Sequence, residues 1–134
     1  MSIKQVVNDF NNNKSWDKQY RLLIQLGKKL PVLSEVEKTE ANKVEGCESL
    51  AWLVIEKQDE HYYFKMDSDT RVVKGLMMIL LIIFQGKSVQ QIAMIDINAI
   101  FTQLGLLNHL SPSRANGLLA IVEKIKSVSS CENS

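Results

Sequence analysis

The chain has 134 residues, of which 46% are hydrophobic and 23% charged, with a formal net charge of +1. This is ordinary globular usage, long enough for a single domain over residues 1–134 whose core needs no staples. It implies no strongly basic face for nucleic acid, and two cysteines build no disulfide framework, although one Cys47–Cys131 bond stays open.

Low cysteine usage favours a reducing, cytoplasmic setting. The opening MSIKQVVNDFNNN lacks the apolar core of a secretory signal, and Asn11–Asn13 form a polar break. Ser15 then caps a helix with Trp16, Tyr20, Leu23, Ile24, Gly27 and Leu30 on one face, stopped by Pro31. Ser34–Lys43 is polar and charged, a loop with a partial helix. LAWLVIE at 50–56 and HYYFKMD at 61–67 carry the aromatic and β-branched residues of strands. Lys57–Glu60 separate them as an antiparallel hairpin, and Asn42–Glu45 is expected as a third strand.

Val72–Phe84 is apolar nearly all round. Its run LMMILLIIF, residues 76–84, is less than half the roughly 20 residues that span a bilayer, so a buried helix is expected and no membrane association. Ser88 with Gln91 forms a capping-box pattern. Asp96 caps a helix bearing Ile97, Ile100, Phe101 and Leu104, which Gly105 ends. Ser111 and Pro112 open the last helix, whose stripe is Ala115, Leu118, Leu119, Val122 and Ile125. The tail SVSSCENS is expected to fray from about residue 128. The fold class is α+β: a small antiparallel sheet of about three strands with helices packed against one face.

Chemistry centres on the stretch VEGCESLAW at 44–52. Cys47 is either a small buried hydrophobe or a reactive sulfur. Gly46 before it permits a positive φ or a close backbone approach. Glu48 after it disfavours a thiolate unless a cation lies near. Arg114, in the first turn of the last helix, and His109 are the candidate cationic partners; otherwise they are a solvated arginine and a polar turn residue.

Other thiol chemistries fail on inventory. A four-ligand zinc site needs Cys47, Cys131, His61 and His109 together at spacings unlike zinc motifs. An iron–sulfur cluster needs four thiolates, and no C-x-x-C exists. A Cys–His pair through His109 has no accompanying oxyanion or orienting signature. In the run Asp67-Ser68-Asp69, capping of the next helix by Ser68 or Asp69 is favoured over metal binding. Trp16 and Trp52 read as core.

Four segments together resemble the SufE/CsdE family of sulfur-acceptor proteins. They are WDKQYRLLIQLGKKLP at 16–31, VEGCES at 44–49 followed by Trp52, SDTRVVKGL at 68–76, and LGLLNHLSPSRANGLLAIVEKI at 104–125. The resemblance implies a fold similar to iron–sulfur scaffold proteins and a partnership with a pyridoxal-phosphate cysteine desulfurase. It puts Cys47 in the sulfur-acceptor position. Gly46, Glu48, Ser49, His109 and Arg114 would support the acceptor loop or its thiolate, and Asp69 and Lys74 would lie at the docking surface. The chain itself would bind no cofactor and no metal; the pyridoxal phosphate belongs to the partner. Sulfur would pass on to an iron–sulfur scaffold complex or another acceptor. A carrier must protect its cargo, so Cys47 is expected to tuck under apolar neighbours and swing out on docking.

Glu48 replaces the family's usual glutamine, and Leu50-Ala51 replaces a polar-valine pair. Both departures bear on thiol pKa and partner preference. Two rival readings are a regulatory module that remodels the desulfurase without carrying sulfur, and a stand-alone thiol enzyme such as a peroxidase.

Overall fold

The computed structural model describes residues 2–45, 50–106 and 109–132, the last four by backbone alone. In chain order the elements are α1 (Ile3–Asn11), α2 (Trp16–Gly27), a 3-10 turn (Glu35–Glu37), β1 (Ala51–Gln58), β2 (His61–Ser68) and α3 (Arg71–Phe84), followed by β3 (Lys87–Ser88), α4 (Val89–Met94), α5 (Ile97–Leu104) and α6 (Pro112–Glu132). Among these residues no helix is long and apolar enough to cross a membrane.

Most helix starts follow local chemistry. Ser15, Ser88, Asp96 and Ser111 each accept a backbone N–H three residues on, and Gln91 closes the capping box with Ser88. Gly105 ends α5 with φ 72°. α1 is the helix that composition alone does not suggest. Its signals are a second capping box, Ser2 with Gln5, and buried Val6 and Phe10 four residues apart. Thr70, rather than Ser68 or Asp69, occupies the cap position of α3, while Ser68 Oγ accepts the Thr70 N–H.

The sheet is antiparallel in the order β1-β2-β3. Leu53, Tyr62, Phe64 and Met66 are buried on the face where α3 packs, while His61, Tyr63 and Lys65 are exposed on the other. The hairpin is tighter than the four polar residues suggest. The strands run to Gln58 and from His61, leaving a two-residue turn with Asp59 at φ 51° and Glu60 at φ 69°. Two successive positive φ values match the twist of the strands, which is why this turn suits a hairpin even without glycine.

The third strand is not Asn42–Glu45. That segment makes one isolated bridge, Lys43 with Trp52, and then leaves the sheet. The third place is taken by β3 on the far side of β2. Gln85 turns the chain there: its amide accepts the Phe64 N–H at 2.6 Å and donates to the Phe64 carbonyl at 3.2 Å. Gly86, at φ 74°, then donates to the Tyr62 carbonyl at 2.8 Å, which sets the register of β3. α6 runs from Pro112 to Glu132, and Val128 is buried.

α2 and α3 cross with almost no space between their backbones. A Cβ on Gly75 would lie 2.2 Å from the Leu23 carbonyl oxygen, and one on Gly27 would lie 3.0 Å from the Gly75 nitrogen. Helix backbone cannot yield as a flexible side chain does. Gly75→Ala should therefore lose about 1–3 kcal/mol of stability, although alanine is the better helix former. Urea unfolding checks this; an unchanged midpoint would show that the crossing is loose.

Candidate functional site

Gly46, Cys47, Glu48 and Ser49 lie outside the described residues, and so does the expected sheltering of Cys47. The flanks of this segment are described in detail. On one side Asn42–Val44 runs antiparallel to the start of β1. The Val44 N–H donates to the Ala51 carbonyl and the Leu53 N–H to the Asn42 carbonyl, both at 2.8 Å. Val44 and Ala51 are both buried. The connection from 45 to 50 is thus closed at its base by a backbone hydrogen bond.

The downstream flank has a second anchor. The Leu50 carbonyl accepts from the Ser68 hydroxyl at 2.7 Å and from the Asp69 N–H at 3.3 Å. Ser68 is 4% exposed and also takes the Thr70 N–H at 3.2 Å. The end of β2, the start of α3 and the residue after Ser49 are therefore held by one hydroxyl. On the upstream flank, Lys124 of α6 reaches the Lys43 carbonyl at 3.5 Å.

Beneath Ser68 sits Asp67. By strand alternation it belongs to the solvated face, yet it is 5% exposed. Two lysines account for this. Lys38 Nζ lies 3.4 Å from one carboxylate oxygen and Lys74 Nζ 3.6 Å from the other, which also accepts the Ser68 N–H at 2.8 Å. Lys38 also lies over the Trp52 ring, 5.3 Å from its centroid. Burial works against the Lys38 charge; Asp67 and Glu35 outweigh it and hold the Lys38 pKa above the ordinary lysine value. Nearby, Glu37 is held below the usual carboxylate value, first by the Ser34 hydroxyl and then by Lys65.

The residues named from sequence fall into two groups. Asp69 and Lys74 belong to this network, Asp69 through its N–H and Lys74 through Asp67; the Asp69 carboxylate accepts the Thr70 hydroxyl. His109 and Arg114 stand apart from it among the described residues. His109 is exposed and stacks on Trp16, with ring centroids 5.3 Å apart and planes 20° from parallel. Arg114 is exposed in the first turn of α6, where its N–H bonds the Ser111 hydroxyl. Both tryptophans are half-buried, Trp16 packed against the core and stacked on His109, and Trp52 under the Lys38 ammonium.

Sequence reasoning missed Asp67, Lys38 and Lys124. In the sequence Asp67 stands only at the end of a strand and in an acidic pair with Asp69, and nothing local marks Lys38 as its neighbour or Lys124 as the partner of the Lys43 carbonyl.

Two consequences are measurable. Ser68→Ala removes one of two donors to Leu50 and should cost about 1 kcal/mol in urea unfolding, with Ser68→Thr recovering part of it. Because the Lys38 pKa is raised, its stabilisation is complete below about pH 10.4 and is lost as pH rises through the folded value. The melting-temperature gap between the protein and Lys38→Met should hold at neutral pH and close above about pH 10.4. A gap that persists at higher pH would show that the lysine acts through its alkyl stem alone.

The family model SufE, the Fe-S metabolism associated domain, matches residues 4–129. An uncharacterized SufE-like protein of Rhizobium meliloti is 43% identical over 130 residues, covering 94% of this chain and 93% of that protein. Another from Rhizobium etli is 40% identical over 129 residues, covering 93% and 87%. Among solved structures, the solution structure of a hypothetical protein from Thermus thermophilus superposes with a TM-score of 0.74. It shares 17% identity, covers 95% of this chain and 94% of its own, and bears on the fold alone.

Proposed function

The chain belongs to the SufE family, and from that premise we propose that it takes persulfide sulfur from a cysteine desulfurase onto Cys47 and stimulates that enzyme. The observation that carries this reading is the match to the family over residues 4–129, with the chain's interior cysteine in a connection tied at both ends. A short connection on a rigid base suits a group that must meet a partner's active site.

The step is thiol–persulfide exchange. The Cys47 thiolate attacks the outer, sulfane sulfur of the persulfide on the desulfurase cysteine. A sulfur–sulfur bond forms to Cys47, the bond to the donor sulfur breaks, and the donor leaves as its thiolate. No net oxidation occurs. Lys74 and Lys124 on the flanks have the sign that favours a thiolate, while Glu48 opposes it. In this reading Gly46 and Ser49 shape the loop, and His109 and Arg114 meet the donor or its persulfide. Asp69 and Lys74 serve docking as well as anchoring. The pyridoxal phosphate stays with the desulfurase, the exchange takes place in the cytoplasm, and sulfur leaves for an iron–sulfur scaffold or another acceptor.

Mixing the protein with desulfurase and cysteine should add about 32 Da, one sulfur atom, to the peptide holding Cys47. Cys47→Ser should abolish both the adduct and the stimulation. Stimulation retained by Cys47→Ser would favour the regulatory module, and an adduct confined to Cys131 would overturn the assignment. Arg114→Ala should slow uptake several-fold with melting temperature unchanged, since its side chain is exposed.

A further inference from the structure

A second feature lies on the other side of the α3 start. α2 and α3 leave a groove along their glycine crossing, and its rim is cationic. Arg21 and Lys28 come from the α2 side, Arg71 and Lys74 from α3, and no carboxylate lines it among the described residues. Arg21 and Lys28 are seven residues apart, two helical turns, and Arg71 and Lys74 three apart, so each pair shares one helix face.

Arg21, Lys28 and Arg71 are exposed. Among the described residues none of the three joins an ion pair; Lys74 does, with Asp67, and the other paired acids are Glu35, Glu37, Glu56 and Glu60, none of which lines the groove. A chain with 16 basic and 15 acidic residues has thus set three unpaired cations beside a fourth, Lys74, that shares its charge with Asp67. The groove also has an apolar side, formed by Ile24 and a Tyr20 that is 41% exposed.

We propose that this groove docks an acidic surface segment of the desulfurase, an inference that rests on the reading of the chain as that enzyme's partner. Two observations select this occupant. Carboxylates on a folded surface match four cations beside an apolar wall, whereas a nucleic-acid backbone needs a longer basic track than a net charge of +1 provides. The groove is also continuous with the flank of the Cys47 segment: Lys74 pairs with Asp67, and Asp69, two residues before Arg71, holds the Leu50 carbonyl. A donor meeting Cys47 therefore has this rim within reach of its surface.

Calorimetric titration of the full chain with its desulfurase, at low and at raised salt, tests the proposal. Wild-type affinity should fall as salt rises. The double variant Lys28→Glu/Arg71→Glu should bind at least about tenfold more weakly and lose most of the salt dependence. The double variant Lys4→Glu/Lys14→Glu makes the same change in net charge at exposed sites elsewhere and should bind within about twofold of wild type. Alkylation of Cys47 by iodoacetamide should be equal in all three, which shows the fold and thiol intact. Equal weakening by both double variants, or by neither, overturns the groove and leaves the sulfur-acceptor reading standing. A wild type that binds no desulfurase removes both. Wild-type binding of a single-stranded oligonucleotide that the Lys28→Glu/Arg71→Glu change abolishes would assign the groove to nucleic acid instead.

Discussion

A carboxylate with almost no access to water sits between two ammonium groups at the end of β2, and the geometry around the Cys47 segment depends on it. Asp67 orders the Ser68 backbone, Ser68 holds the Leu50 carbonyl, and Lys74 fixes the first turns of α3 to the sheet. Such an arrangement adds little net stability over an apolar substitute, because the carboxylate loses its hydration. What it contributes is a directed arrangement. Without its two lysines the Asp67 carboxylate would be a charge with almost no water around it, so the strand end has one favourable position.

The remainder of the fold supplies the rigid base for that arrangement. α3 is buried along most of its length against the inner face of the sheet and against α2. The glycine crossing fixes the spacing of α2 and α3 by backbone contact rather than by side chains. The same crossing brings two pairs of cations to one groove. Packing, anchoring and surface charge thus meet at the first turn of α3.

Much of this was legible in the residues. Helix starts are local: Ser15, Ser88, Asp96 and Ser111 act within three positions of themselves, so a reader of the sequence needs no tertiary information to place them. The two long strands and the inward face of Tyr62, Phe64 and Met66 follow from alternation. The misplaced third strand and the buried Asp67 have a different origin. Lys87–Ser88 joins the sheet because the chain returns to the open side of β2 after α3, and whether Asp67 is covered depends on Lys38 and Lys74 arriving from separate elements. Neither is encoded in a local window. The proposed acceptor role of Cys47 rests on family resemblance rather than on local chemistry, since glycine, cysteine and glutamate alone fit a structural thiol equally well.

The Gln85 amide has an effect beyond shaping the turn. A strand with free backbone groups along its border is a template for another chain, and β3 covers only the first two residues of β2. Farther along, the amide occupies both backbone groups of Phe64 as a neighbouring strand would. A single side chain therefore extends the cover of that border beyond the shortest strand by one more residue, where another chain's strand would otherwise find both backbone groups open.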